Sequence, residues 1–230
     1  MSLTYNGWYF LAEMWNRVSP LAECTAMLLV FMFVWALVEG LARGASYGAA
    51  VWQSRSFLRI TQRLLENGDW DDVLAAARLR KRSHVATVFA GGLLEFRKAR
   101  ECVSEEVAIE AAKRGARIAT NCVHEHLRQG LSALGTIATT APFVGFFGTV
   151  VGIADAFKGS AVSRATLLTN TANSIAEALV CSAMGMLVAI PTVWCFNLLR
   201  ERLSTFDAEM EITSLELVKY LELRSRVTEL

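Results

Sequence analysis

Three apolar stretches, residues 20–42, 131–157 and 172–199, are each long enough to cross a bilayer as a helix, which takes roughly 20 predominantly apolar residues. In hydrocarbon the backbone has no water to pair with, so segments of this kind must satisfy their own N–H and C=O groups as helices. The predicted fold is therefore an all-α integral membrane protein: three transmembrane helices with long helical extensions on one side. A hydrophobic fraction of 53% would suit a soluble chain as well. The grouping of the apolar residues decides the matter, not their number.

Charge placement predicts the orientation. Of the 23 Lys and Arg residues, 15 lie in 43–130 and five in 200–230, leaving Arg17, Lys158 and Arg164 elsewhere. Lys and Arg collect on the cytoplasmic side of membrane proteins. The expected order is an outer amphipathic segment at 1–19, transmembrane helix 1 at 20–42 and a cytoplasmic helical segment at 43–130. Transmembrane helix 2 at 131–157, a short outer loop at 158–171, transmembrane helix 3 at 172–199 and a cytoplasmic C-terminal helix at 200–230 follow. The N-terminus is then periplasmic and the C-terminus cytoplasmic. Met1–Ser19 lacks the basic start of a cleaved signal. Its Trp8, Tyr9, Phe10 and Trp15 suit the bilayer interface, as an amphipathic helix over 5–17. A net charge of +1 offers no basic excess for nucleic acid.

The 43–130 segment has a helical pattern. Phe57, Ile60, Leu64 and Leu65 recur at helical steps, as Val103, Val107, Ile109 and Ile118 do more loosely, and Asn67-Gly68-Asp69 marks a turn. Trp70, Val73, Leu74 and Ala77 then start another amphipathic helix. Glu105, Glu106 and Glu110 precede Lys113, Arg114 and Arg117, placing opposite charges on neighbouring turns of an exposed helix. No proline lies between Val51 and Pro142, so this helix is expected to run on into span two as one rod. Leu203, Phe206, Met210, Leu215, Leu217, Val218 and Leu221 make the tail read as an amphipathic helix.

Span two carries a stripe of small residues: Pro142, Gly145, Thr149, Gly152 and Ala156, with Gly148 and Gly152 as a GxxxG pair. Membrane helices associate through close packing of such faces. Span three carries Glu177, Ser182, Gly185, Ala189 and Pro191. A carboxylate inside a span is costly and by default marks a pathway or faces protein, although Glu177 at the membrane interface is the alternative. Glu177 and Ser182 lie about 140° apart around an ideal helix, so only one of them can point straight at a common axis. Catalytic constellations are missing. His84, His124 and His126 have no metal-ligand spacing, and Cys24, Cys102, Cys122, Cys181 and Cys195 form no CxxC pair. Chemistry by covalent or metal catalysis is not expected, and neither a metal nor a cofactor is, so the chain does not read as an enzyme.

The run Thr140-Ala-Pro-Phe-Val-Gly-Phe-Phe-Gly-Thr-Val-Val-Gly-Ile153 resembles the second-span motif of the ExbB/TolQ/MotA proton-channel family. Ile175-Ala-Glu-Ala-Leu-Val-Cys-Ser-Ala-Met-Gly-Met-Leu-Val-Ala-Ile-Pro191 is similar to its third-span motif. The Ala-Glu-Ala-Leu context of Glu177 is ExbB- and TolQ-like rather than MotA-like. Three positions depart from the pattern: Ser182 stands where the family usually has Thr, Asn173-Ser174 replaces Pro-Gly, and Val151 replaces Trp.

The resemblance implies a homopentamer in the bacterial inner membrane whose second and third spans line a central pore. That pore would hold two single-span ExbD/TolR-like partners, each supplying the proton-carrying Asp. Thr149 and Ser182 would form a polar pore ring and Glu177 an acidic pore residue, with Pro142, Gly145, Gly148, Gly152, Gly185 and Pro191 packing the helices and lining the pore. Protons are the expected coupling ion and sodium the other candidate, with force passed onward by a TonB/TolA-like protein. The competing readings are a MotA-like or gliding-type motility stator, in which Arg78, Arg80, Lys81 and Arg82 could touch a rotor, and a non-conducting membrane scaffold.

Overall fold

The computed structural model describes residues 20–67, 70–80, 82–102, 104–158 and 164–228. The outer helix expected over 5–17 lies outside them. The described residues form six helices: α1 Pro20–Asn67, α2 Trp70–Leu79, α3 His84–Arg100, α4 Glu105–Arg128, α5 Leu131–Lys158 and α6 Arg164–Thr228. There is no strand among them. Sequence signals explain most of the boundaries. Pro20 opens α1, in the first turn, where its missing N–H would have had no partner within the helix. Asp71 and Asp72 sit in the first turn of α2 and Arg78 in its last, each complementing the helix dipole. Ser83 caps α3, its hydroxyl accepting from the Ala86 N–H.

One expectation about continuity is corrected. Helix α4 does not run on into span two: it stops at Arg128, and α5 starts at Leu131. Between them Gly130 takes φ of 81°, a left-handed conformation open to glycine and costly to residues with a Cβ. Helix α6 is helical from Arg164, ahead of its membrane-crossing stretch, which begins at Ser174. Gly130→Ala is expected to destabilise the fold by about 1–2 kcal/mol, the usual cost of forcing an L-residue left-handed. Chemical unfolding in micelles, beside the wild type, checks this.

Contacts divide the chain into two compact units, Met1–Gly40 with Ser132–Asn197 and Leu41–Leu131 with Leu198–Leu230. Three helical stretches are long and apolar enough to cross a membrane, within Glu23–Thr61, Glu105–Phe157 and Ser174–Ser225. Only 17%, 33% and 28% of their most apolar windows is buried within the chain. Phe31, Trp35, Phe143, Phe146, Leu187 and Trp194 are all exposed. So large an uncovered apolar surface is what lipid or neighbouring subunits cover, and it does not belong on a soluble monomer.

The second unit has an apolar core of its own. Phe57, Val73, Val85, Phe89, Leu93, Phe96, Leu217 and Leu221 are buried together from α1, α2, α3 and α6. Trp70 of α2 meets Tyr220 edge-on with ring centres 5.5 Å apart, and the Arg224 guanidinium lies 5.1 Å above its ring. In the tail, Leu203, Phe206, Met210, Leu217 and Leu221 are buried, whereas Leu215 lies on the exposed face and Val218 at its edge.

Candidate functional site

Helices α5 and α6 meet along the small-residue faces read from the sequence. A Cβ on Gly145 would stand 2.7 Å from the Cys181 carbonyl oxygen and 2.9 Å from Gly185 Cα. One on Gly185 would stand 2.8 Å from the Ala141 carbonyl oxygen. Gly152 faces the Ala178 side chain, whose Cβ would lie 2.8 Å from a Cβ on Gly152, with the Ala178 Cα at 3.4 Å. At Gly145 and Gly185 backbone therefore lies on backbone, which is how membrane helices without a hydrophobic drive between them hold together. Helix α1 joins through Thr25, whose Oγ1 would be 2.8 Å from a Cβ on Gly148.

Two hydroxyls sit in this seam. Thr149 Oγ1 is 2.6 Å from Ser182 Oγ, 3.0 Å from the Ala178 carbonyl oxygen and 3.2 Å from that of Gly145. Thr149 has one hydrogen to give, so the pair has two useful arrangements. Thr149 donates across the seam to Ala178 while Ser182 donates to Thr149. Alternatively, Thr149 donates to Ser182, and the Ser182 hydrogen is released to another acceptor. Thr149 is buried and Ser182 half-buried, so Ser182 is the member whose outer side is open. The outward end of this hydroxyl pair can therefore switch between donating and accepting. No ionisation of either group is needed.

Ser182 faces α5, and this resolves the 140° separation within the chain. Glu177 points elsewhere on α6 and is half-buried. Gly145, Gly148 and Gly185 are buried in the seam, with Gly152 and Pro142 half-buried beside it. Pro191 is exposed, and its neighbour Thr192 is the residue turned inward. Sequence reasoning missed the Ala178 carbonyl and Cys181. Ala178, Cys181 and Gly185 follow one another at steps of three and four on the inner face, and both Ala178 and Cys181 are buried. That spacing was the available signal. Among the described residues no His, Cys, Asp and Glu side chains cluster as a metal site would require.

Comparison with known proteins bears on the same region. Residues 80–212 match the model of the MotA/TolQ/ExbB proton channel family. The Tol-Pal system protein TolQ of Pseudomonas aeruginosa is 38% identical over 117 residues, covering 50% of this chain and 51% of that protein. The biopolymer transport protein ExbB of Pseudomonas putida is 29% identical over 192 residues, 78% of this chain and 57% of that one. ExbB of Neisseria gonorrhoeae is 46% identical over 70 residues, 30% of this chain and 32% of that one. The chain thus spans about half the length of the first relatives it matches. The family match covers more than half of the chain and contains the whole α5–α6 seam, and the chain belongs to the MotA/TolQ/ExbB proton channel family.

Proposed function

We propose that this chain is the stator subunit of a proton-driven motor in the bacterial inner membrane, coupling proton motive force to movement of a single-span ExbD/TolR-like partner. The observation that carries the reading is the Thr149–Ser182 hydroxyl pair, set in a glycine-lined seam between two spans. A hydroxyl donates to a carboxylate and accepts from a carboxylic acid. It can therefore attend a partner's titrating Asp in both protonation states. Five copies, with α5 and α6 turned inward, would surround a dimer of the partner. Glu177 is the acidic residue of the pathway, and protons, or failing them sodium, are the coupling ion. The concentration of Lys and Arg in 43–130 and 200–230 supports a cytoplasmic C-terminus and a periplasmic N-terminus. The work done would be outer-membrane transport or envelope maintenance, passed on through a TonB/TolA-like protein.

Glu177→Ala tests the pathway. With the partner co-reconstituted in proteoliposomes, proton flux is expected to fall by about tenfold or more, equivalent to about 1.4 kcal/mol on the barrier. Subunit count by native mass spectrometry should be unchanged. Wild-type flux in that variant would remove Glu177 from the pathway. A complex without a partner helix would leave the scaffold reading standing.

A further inference from the structure

His84 begins α3 and is 2% exposed, yet it is hydrogen-bonded at both ring nitrogens. Its Nε2 lies 2.6 Å from Glu209 Oε2 on α6. Its Nδ1 lies 3.2 Å from Ser54 Oγ on α1, and Ser54 Oγ lies 2.9 Å from Ser83 Oγ. Ser83 Oγ in turn accepts from the Ala86 N–H at 3.1 Å. A carboxylate only accepts, so Nε2 carries the hydrogen and donates to Glu209. The neutral ring then presents Nδ1 as an acceptor. Ser83 donates to Ser54, Ser54 donates to His84, and every hydrogen in the chain is placed.

We propose that this chain of hydrogen bonds is a pH-operated latch: a proton arriving at His84 Nδ1 turns Ser54 from donor to acceptor, strands one hydrogen of the Ser54–Ser83 pair, and loosens the start of α3 from α1 and α6. Once Nδ1 donates, Ser54 accepts from it, and the Ser54 hydrogen loses its acceptor. If that hydrogen turns to the Ser83 oxygen, which already receives the Ala86 N–H, the Ser83 hydrogen is stranded instead. In either case one hydroxyl hydrogen is left over in a site where Ser54 is 2% and Ser83 1% exposed. A buried donor without a partner is destabilising. The new positive charge also sits at the N-terminus of α3, where the helix dipole opposes it.

The latch is open to solvent on one side. Ser54 and Glu209 line a cleft of about 550 Å³, a path for the proton. The charged groups around His84 come from three helices. Glu209 and Asp207 lie on α6, Asp207 being held 2.8 Å from His124 Nδ1 of α4. Arg55 and Arg59 of α1 and Glu216 of α6 line the cleft, and Tyr47 of α1 packs edge-on against Phe206 beneath the imidazole. Burial holds His84 below the ordinary imidazole value of 6.5, with Glu209 and Asp207 offsetting part of that effect. A base depressed on folding stabilises the fold above its unfolded value. That contribution is lost as pH falls from about 6.5 toward the lower folded value.

The test uses the full-length chain in nanodiscs. Hydrogen exchange at the start of α3 (Ala86, Thr87, Val88) is followed from pH 7.5 to 5, corrected for intrinsic rates, beside imidazole carbon shifts. Protection of those amides is expected to fall at least tenfold as the His84 ring titrates. In His84→Gln the fall should disappear, and in His124→Gln it should persist. In Glu209→Gln the midpoint should move to lower pH, because a charge favouring the imidazolium is gone. Constant protection in the wild type, or a His84 ring that stays neutral to pH 5, overturns the latch. So does a fall that follows His124 instead. The wild-type measurement stands even if a variant fails to fold, and none of it reads proton flow or force.

Discussion

Thr149→Val is expected to abolish proton-coupled work while the assembled complex keeps its size. Valine has nearly the shape of threonine, so the tight seam beside Gly145 and Gly152 should close as before. What it lacks is the hydroxyl that lies 2.6 Å from Ser182 Oγ and 3.0 Å from the Ala178 carbonyl oxygen. Ser182 loses the neighbour that lets its outward hydrogen switch between giving and receiving. A hydrogen bond to a charged group is worth about 1.5–3 kcal/mol net, so coupled proton flux should drop by about 10- to 100-fold. Thr149→Ser keeps the hydroxyl and should retain most of the flux. Flux measured in proteoliposomes with the partner present, beside subunit number by native mass spectrometry, separates the two effects. Normal flux in Thr149→Val would remove the hydroxyl pair from the pathway.

The spans were legible because lipid imposes a simple condition, about 20 apolar residues that close their own hydrogen bonds. The small-residue faces of α5 and α6 were legible for a related reason, since glycines at steps of three and four have a packing use in membranes that surface glycines lack. The break at Gly130 was not. A glycine between two helical patterns is tolerated either way, and only its φ of 81° shows which choice the backbone made. The direction of Ser182 was equally closed to sequence reasoning. One helix gives the 140° between Glu177 and Ser182, but which side faces α5 depends on a partner face elsewhere in the chain. His84 was the least legible, because it meets Glu209 across 125 residues. No local spacing marks such a pair.

Gly145→Ala and Gly185→Ala are expected to cost the most stability of any single-methyl change in the seam. The two glycines face each other, and the atoms a new Cβ would meet are backbone: the Cys181 oxygen at 2.7 Å for Gly145, and the Ala141 oxygen at 2.8 Å for Gly185. Backbone cannot swing aside as a side chain can, so α5 and α6 must move apart. Overpacking of this kind costs about 1–3 kcal/mol. Separation would also lengthen the Thr149 bond to Ala178, four residues along from Gly145, coupling the packing loss to the hydroxyl pair. Gly48 of α1 supplies the contrast, since a Cβ there meets nothing within 4 Å. In the isolated chain Gly48→Ala should be neutral or stabilise the helix by up to about 1 kcal/mol, because alanine has less backbone freedom to lose than glycine. Unfolding free energies of the three variants in micelles give the comparison. Equal values for Gly145→Ala and Gly48→Ala would mean that the close approach does not hold the two spans together.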